Sequence, residues 1–357
     1  MMEAIHKNTT TSDFLAAVMA ENSMGLQERF SVCRLQLGEF NALKKLVDYD
    51  EVEESELKSH FKKTLSVYEA LIADAEKAEN YEILALANDD YGNLFLDRGD
   101  VSVAALFWSK TIDAVFQKQN FLANWKHEFK EAQILNPLEF GQDILAKATG
   151  ARLAALGGLA ASKMARYSFS HNMEKQRDLY QLAFILKTSV LSVTLPHPKS
   201  FADYLTYNVE LVHPCLKLFC DPHSFEPFIY VREILCLSKF FIQQGRALEC
   251  LPIVSMAEHL ACYVCDASWL LAQVYGVKAY IYSTLGMMSE SIECLFNIYT
   301  GKARSVSEKH VAIKSKHKIQ FQNSGGSSIK ENVKILRDLA ELQFSEGNRG
   351  YLKNDRT

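Results

Sequence analysis

The sequence between Tyr91 and Phe116 constrains the fold more than any other stretch of this chain. It reads YGNLFLDRGDVSVAALFWSKTIDAVF. Small and aromatic residues recur in it at fixed offsets: Gly92, Phe95, Gly99, Ala104 and Trp108. This spacing predicts two helices joined at Gly99, with small residues at their closest contact and aromatic side chains packed beside it. Two helices that each bury one face need neighbours of the same kind, so the pattern predicts stacked hairpins.

These offsets resemble those of the tetratricopeptide repeat, although Thr111 stands where that repeat usually has Ala and no Pro closes the unit. A fair second copy comprises Ala279, Tyr282, Gly286, Ser291 and Leu295. A weaker copy comprises Ser238, Phe241, Gly245, Cys250 and Val254. Two further segments match the pattern at only two positions each: Ser31 with Gly38, and Ala340 with Gly347. The copies are spaced more widely than the roughly 34 residues of a regular array. We therefore expect an all-α, tetratricopeptide-like helix-hairpin array, an α-solenoid of degenerate repeats. The alternative is a generic stack of helix hairpins.

The rest of the chain also has helical periodicity. Apolar stripes at three- and four-residue spacing occur in two segments: Phe61, Leu65, Tyr68, Leu71, Ile72 and Ala75, then Leu179, Leu182, Ala183, Leu186 and Val190. Glycines and alanines between Thr149 and Ala165 predict close helix packing. Breaks at LPHPKS, at DPHSFEP and after Gly301 divide the chain. We predict a weakly patterned helical segment (1–56), two repeat blocks (57–195 and 196–300), a basic flexible loop (301–330) and a final repeat helix with a tail (331–357).

The last of these segments has an apolar stripe, Leu336, Leu339, Leu342 and Phe344, but no second helix follows it. Repeat arrays usually end in a polar cap. We therefore expect a chain cut from a longer array, or one that binds a partner at this end.

No motif in the sequence indicates catalysis. The nucleophile elbow, the phosphate-binding loop and the zinc-protease helix are missing. In HLACYVC, His259, Cys262 and Cys265 share a helical face, but no second cysteine pair completes a zinc site. We expect packed thiols and a partly exposed His259. The adjacent acids Asp89 and Asp90 are expected to be solvated. We predict no enzyme, no catalytic, cofactor-binding or metal residues, and no cofactor.

Composition excludes further classes. The chain has 357 residues and a net charge of −4, which does not favour nucleic-acid binding. Its start lacks the features of a secretory signal, and its most apolar stretch is too short to span a membrane. The eight cysteines lie mostly in helical apolar runs, as reduced thiols do. We expect a cytoplasmic protein with no membrane and no nucleic acid among its partners.

Residues 301–330 carry seven basic side chains and one acid, a net charge of about +6. A solvated, flexible insertion is the favoured interpretation. An acidic partner surface is the alternative, and the scarcity of aromatic residues disfavours a nucleic-acid platform.

Three runs indicate a family: 87–125 (ANDDYGNLFLDRGDVSVAALFWSKTIDAVFQKQNFLANW), 150–170 (GARLAALGGLAASKMARYSFS) and 177–198 (RDLYQLAFILKTSVLSVTLPHP). They resemble the cilia- and flagella-associated protein 54 family, very large proteins of the axonemal central apparatus. The resemblance extends over roughly 57–342. It implies no catalytic residues.

The resemblance implies a structural scaffold in the cytoskeleton of the ciliary axoneme. Such a scaffold would serve assembly of the central apparatus and the motility of cilia and sperm flagella. Its implied partners are other axonemal proteins of the central microtubule pair, with tubulin a candidate for the basic loop 301–330. The alternative is a cytoplasmic tetratricopeptide-type adaptor that binds peptides. That alternative predicts basic residues on the first helices of successive hairpins, whereas the first helix of the best repeat is acidic.

Overall fold

A computed structural model describes residues 25–47, 54–192, 227–265 and 267–299. The secondary structure in these ranges is helical, with no strand, which confirms the all-α prediction. The α-helices are α1 Leu26–Val47, α2 Glu54–Lys77, α3 Tyr81–Asp97, α4 Val101–Val115, α5 Phe121–Glu128, α6 Glu131–Leu135, α7 Gly141–Lys147, α8 Ala151–Lys163, α9 Met173–Leu191, α10 Pro227–Gln243, α11 Ala247–His259, α12 Ser268–Thr284 and α13 Met288–Tyr299. Two π-helical turns, Met164–Ser168 and Leu260–Val264, extend α8 and α11.

The described residues form two compact units. Unit 1 comprises the described residues up to Glu131 together with Leu145–Leu186. Unit 2 comprises Ala132–Ile144 and the described residues from Lys187 onwards.

In unit 1 each hairpin packs on the next. Helix α3 contacts α4 within its own hairpin and contacts both α1 and α2 of the preceding one. Helix α8 in turn contacts both α3 and α4. The first helices α1, α3 and α8 therefore touch in order, which is the nearest-neighbour packing expected of stacked hairpins.

In unit 2 each hairpin also packs on the next. Helix α12 contacts α13 within its hairpin and both α10 and α11 of the preceding hairpin. A tetratricopeptide-type solenoid over the whole chain stays a prediction.

Three hairpin turns centre on the glycines that the sequence marked. Gly99, Gly245 and Gly286 have φ of +81°, +76° and +78°, in the left-handed region that favours glycine. In each turn the residue after the glycine donates its N–H to the carbonyl of an aromatic residue five positions earlier, Phe95, Phe241 or Tyr282, at 2.8–3.0 Å. This is the Schellman arrangement, which satisfies carbonyls at the helix end. The aromatic residue of each repeat therefore also closes its turn.

The contact at the centre of the opening motif is as predicted. Trp108 and Ala104 are fully buried. A Cβ atom on Gly92 would lie 2.8 Å from Trp108 Nε1 and 3.1 Å from the Ala104 carbonyl oxygen, so only glycine leaves room for the indole. Phe95 lies among other rings, stacked on Phe107 at a centroid distance of 6.0 Å.

The second copy has the same local design. The Ser291 hydroxyl on α13 donates to the Ala279 carbonyl on α12 at 2.7 Å, and both residues are buried. The small residues of this copy therefore mark its closest helix contact. In the weaker copy Ser238, Phe241, Cys250 and Val254 are all buried.

One predicted turn is wrong. Gly38 lies inside α1, which continues to Val47, and it is exposed with open space around it. A glycine in a helix costs about 1 kcal/mol relative to alanine, and α1 tolerates that cost.

The apolar stripes of α2 and α9 are buried as predicted, apart from a half-buried Leu65. The glycine-rich stretch also packs closely, because a Cβ atom on Gly157 would lie 3.3 Å from both Leu186 and Val115. The LPHPKS break, the DPHSFEP break up to Glu226, the basic segment 301–330, the final stripe and the Ala340–Gly347 fragment lie outside the described residues.

Candidate interaction surfaces and a buried charge network

A buried charge network joins the three first helices of unit 1. Asp90 on α3 accepts two hydrogen bonds from the Arg34 guanidinium on α1, at 2.7 and 3.1 Å. The Tyr68 hydroxyl on α2 donates to the same carboxylate at 3.1 Å. Asp90 is only 6% exposed, so these donors replace its water.

Burial and ion pairing have opposite effects on the pKa of the Asp90 carboxyl. Burial raises the pKa of the Asp90 carboxyl, and the Arg34 guanidinium opposes that rise without cancelling it. Burial lowers the pKa of Arg34, but Asp90, Tyr68 and Asp89 together raise it by more, so the net shift is upward. Burial, followed by the charge of Asp90, raises the pKa of Tyr68. Tyr68 therefore stays a neutral donor.

Asp89, next to Asp90, points its carboxylate to another partner. The Lys163 ammonium group on α8 donates to both Asp89 oxygens at 2.8 Å and to Asn93 Oδ1 at 2.9 Å. Asp89 and Lys163 are each 3% exposed. Lys163 Nζ also lies 5.7 Å from the centroid of the Trp108 ring, within range of a cation–π interaction.

Two adjacent acids on α3 thus bind the bases of the preceding and following first helices. The expectation that Asp89 and Asp90 are solvated is wrong, because their partners lie 74 and 56 residues away and local sequence does not reveal them. The sequence signal that could have indicated their burial is the position of both acids within the apolar run ALANDDYGNLF.

The same network bears on peptide recognition. The acidity of α3 was an argument against a peptide adaptor, but these carboxylates are buried and do not face a ligand. Arg34 and Lys163, bases on first helices, are occupied by Asp90 and Asp89. They are therefore not available to hold a peptide carboxylate.

Unit 2 contains a smaller polar cluster between α11 and α12. Lys278 Nζ lies 2.7 Å from Glu258 Oε2, with both side chains largely buried. Burial lowers the pKa of Lys278, but the charge and hydrogen bond of Glu258, with Tyr282 and Cys294, together raise the pKa above its ordinary value. Burial, with the charge of Glu258 second, raises the pKa of Tyr275. Burial also raises the pKa of the nearby Cys294 thiol to about 12, which makes it unreactive at neutral pH.

The HLACYVC segment has a different arrangement from the expected one. His259 is buried rather than partly exposed, and its Nδ1 lies 3.0 Å from the Ser255 carbonyl oxygen. Cys262 and Cys265 are half-buried and reduced. Within the described ranges no group of three His, Cys, Asp or Glu side chains is placed to hold a metal ion.

Trp125 and Phe129 lie in the core of unit 1, both buried with ring centroids 6.4 Å apart. Large apolar side chains are nevertheless exposed in both units. In unit 1 they include Leu35 on α1 and Leu106 on α4. In unit 2 they include Trp269 and Tyr280 on α12 and Phe296 on α13. Aromatic side chains exposed on a helix are candidates for protein contact.

Among the described helices none alone is long and apolar enough to cross a membrane. Helix α7 together with α8 and its π turn has the length and apolar composition of a membrane span, but the pair is bent by 84°.

No protein-family model matches the chain. Three related proteins do, each named cilia- and flagella-associated protein 54. The Mus musculus and Homo sapiens proteins are 25% and 24% identical over 252 and 254 residues, each match covering 68% of this chain. The Chlamydomonas reinhardtii protein is 22% identical over 232 residues, or 63% of this chain. The matches cover only 8%, 8% and 7% of those proteins. The predicted resemblance is confirmed: the chain is similar to cilia- and flagella-associated protein 54 over about two thirds of its length.

Proposed function

We propose that this chain is a non-catalytic structural scaffold of the ciliary and flagellar axoneme. The observation that supports the proposal most is its similarity to three proteins named for cilia and flagella, from two mammals and an alga. The packed hairpins of each unit supply a physical reason, since stacked helix pairs offer extended surfaces for protein contact.

Within the axoneme, the role is assembly of the central apparatus, and its output is the motility of cilia and sperm flagella. Other proteins of the central microtubule pair are the proposed partners. Binding energy in such an interface comes from a few aromatic or arginine side chains.

The decisive experiment expresses the tagged chain in multiciliated cells and follows it by imaging and proximity labelling. The proposal expects a signal along the axoneme that survives detergent extraction, and labelled proteins from the central pair. Because the matched region spans about 8% of the length of the Mus musculus relative, a longer version that includes any adjacent coding sequence is tested in parallel. A diffuse signal and no axonemal labelling from both versions contradict the proposal.

A pair of variants separates folding from targeting in that experiment. Gly92→Leu places a side chain against Trp108 and disrupts the central hairpin, whereas Gly38→Leu lies in open space on α1. We expect Gly92→Leu to abolish axonemal localisation and Gly38→Leu to preserve it.

The basic segment 301–330 is proposed to contact tubulin, whose surface is acidic. Purified chain should sediment with microtubules at low salt and less at high salt, because such attraction is screened. A variant with the seven basic residues changed to Gln should stay in the supernatant. Equal sedimentation of both proteins contradicts this contact.

A further inference from the structure

One face of α12 is uncharged and exposes two aromatic side chains. Trp269 is 46% exposed and Tyr280 is 57% exposed. They lie 11 residues apart, which is three helical turns, so they share a face with Gln273 and Gly276 between them. Lys278, the charged residue of α12, is paired with Glu258 and lies off this face.

Gly276 forms the floor of this face. A Cβ atom built on it meets nothing within 4 Å. Glycine is unfavourable inside a helix unless another backbone approaches closely or the chain must bend. The described neighbours of α12 do not use the space above Gly276. A small residue between two exposed aromatic rings suits the close approach of another helix.

Residues 333–344, outside the described part of the chain, have the sequence of such a helix. Read at helical spacing, four charged residues fall on one side: Lys334, Arg337, Asp338 and Glu341. The opposite side is apolar: Ile335, Leu336, Leu339 and Leu342. Ala340 precedes Gly347 by seven residues, as Ala279 precedes Gly286 in α12 and its turn. This repeat spacing predicts that 333–344 forms the first helix of a further hairpin.

The packing of the described hairpins predicts where that helix belongs. Each first helix contacts both helices of the preceding hairpin: α3 contacts α1 and α2, α8 contacts α3 and α4, and α12 contacts α10 and α11. The next first helix should therefore contact α12 and α13. We propose that residues 333–344 pack as a helix across the Trp269–Gly276–Tyr280 face of α12. This proposal does not depend on the cellular location of the protein.

Hydrogen exchange on the full chain tests the contact directly. Amides of 333–344 should be protected, and Trp269→Asp with Tyr280→Asp should remove that protection. Amides of α3 and α4 in unit 1 should be unaffected by the two changes and serve as the internal control. Unprotected amides in the wild-type chain, or protection that survives both changes, overturn the proposal. Protection that rises with protein concentration assigns the face to a second copy and also overturns it.

Substitutions of two glycines give an independent test, because they should change the folding equilibrium constant in opposite directions. Gly38 and Gly276 both lie in helices with open space around them. Gly38→Leu should raise the folding equilibrium constant about fivefold, because leucine favours the helix. If 333–344 covers Gly276, Gly276→Leu should instead lower it by about fivefold or more, because the new side chain overpacks the contact.

The effect of Gly276→Leu should reverse once the segment is displaced. With Leu336→Asp and Leu339→Asp already in the chain, Gly276→Leu should raise the folding equilibrium constant as Gly38→Leu does. A rise for Gly276→Leu in the otherwise wild-type chain shows that the face is open and overturns the proposal.

Discussion

The hairpin of α3 and α4 in unit 1 and the hairpin of α12 and α13 in unit 2 share a turn but differ in their first helices. Both turns have a glycine at positive φ and the same backbone hydrogen bonds. Helix α3, however, is buried on all sides from Ala85 to Gly92, with acids paired to α1 and α8. Helix α12 leaves an uncharged aromatic face exposed.

The difference separates two kinds of information in this sequence. Residues near the turn specify that a hairpin forms, and they are similar in both units. Residues in the middle of the first helix specify what that hairpin packs against. Charged pairs restrict the choice of neighbour, because an incorrect neighbour leaves an unpaired charge in the core. On α12 the one charged residue, Lys278, pairs with Glu258 of the preceding helix, and the exposed face carries no charge.

The largest expected effect comes from breaking the charge network on one side of α3. Lys163→Met leaves the Asp89 carboxylate buried without its main partner, so we expect a loss of about 3–5 kcal/mol in the free energy of unfolding. Urea denaturation followed by circular dichroism measures it. Adding Asp89→Leu should recover most of the loss, since the orphaned charge is then gone.

An exposed ion pair in the same unit is the matched control. Lys126 and Asp178 are 2.7 Å apart, with side chains 54% and 36% exposed. Lys126→Met should change the free energy of unfolding by less than about 1 kcal/mol. A similarly small effect of Lys163→Met would show that the network does not hold α3 between its neighbours.

The second largest effect is expected at the small-residue contact of the α3–α4 hairpin. Gly92→Ala places a methyl group against Trp108 and the Ala104 carbonyl, so it should cost about 1–3 kcal/mol despite the better helix propensity of alanine. Thermal denaturation provides the measurement. Gly38→Ala, in open space on α1, should be stabilising instead. A stabilising Gly92→Ala would mean that the two helices are less closely packed than the structure shows.

The sequence predicted the parts of the fold that depend on nearby residues. Gly99, Gly245 and Gly286 were recognised because a turn at positive φ favours one residue type. The stripes of α2 and α9 were recognised because burial of one helix face leaves a regular spacing.

Two similar turns were missed because they lack glycine. Glu79 and Gln117 have φ of +52° and +51°, and each lies in a Schellman turn closed by the same backbone hydrogen bonds. A search that starts from glycine does not find them. This helps to explain why the repeats looked fewer and more widely spaced than the hairpins are.

The charge network was missed for another reason. Asp89 and Asp90 resemble solvated acids in sequence, and only the fold brings Lys163 and Arg34 to them. His259 was likewise expected at the surface and is buried. The identity of a buried polar residue's partner is tertiary information that one helix does not contain.

Substitutions at two helix turns should have smaller effects on stability, in opposite directions. Gly99→Ala should destabilise by about 1 kcal/mol, because nothing but its backbone conformation disfavours a side chain there. Glu79→Gly, at an exposed turn of the same type, should stabilise by up to about 1 kcal/mol. Chemical denaturation of both variants is the measurement. Effects of the same sign would contradict a shared turn geometry.

The smallest effect concerns the ion pair of unit 2 and depends on pH. The pKa of Lys278 is raised by Glu258 above its ordinary value, so its contribution to stability is complete below about pH 10.5. That contribution is lost as the pH rises through the pKa of the folded state. The wild-type chain should therefore be more stable than Lys278→Met at neutral pH, and the difference should stay constant up to about pH 10.5 and shrink as the pH rises above it. Tyr282 and Cys294 titrate in both proteins, and Lys278 opposes the rise that burial causes in the pKa of each. The difference therefore reports Lys278 together with its coupling to these two groups. A difference that stays constant above about pH 10.5 would mean that Lys278 stabilises α12 by packing, as the rest of that helix does. The contrast between charged contacts in unit 1 and apolar contacts on α12 would then extend to the whole α11–α12 interface.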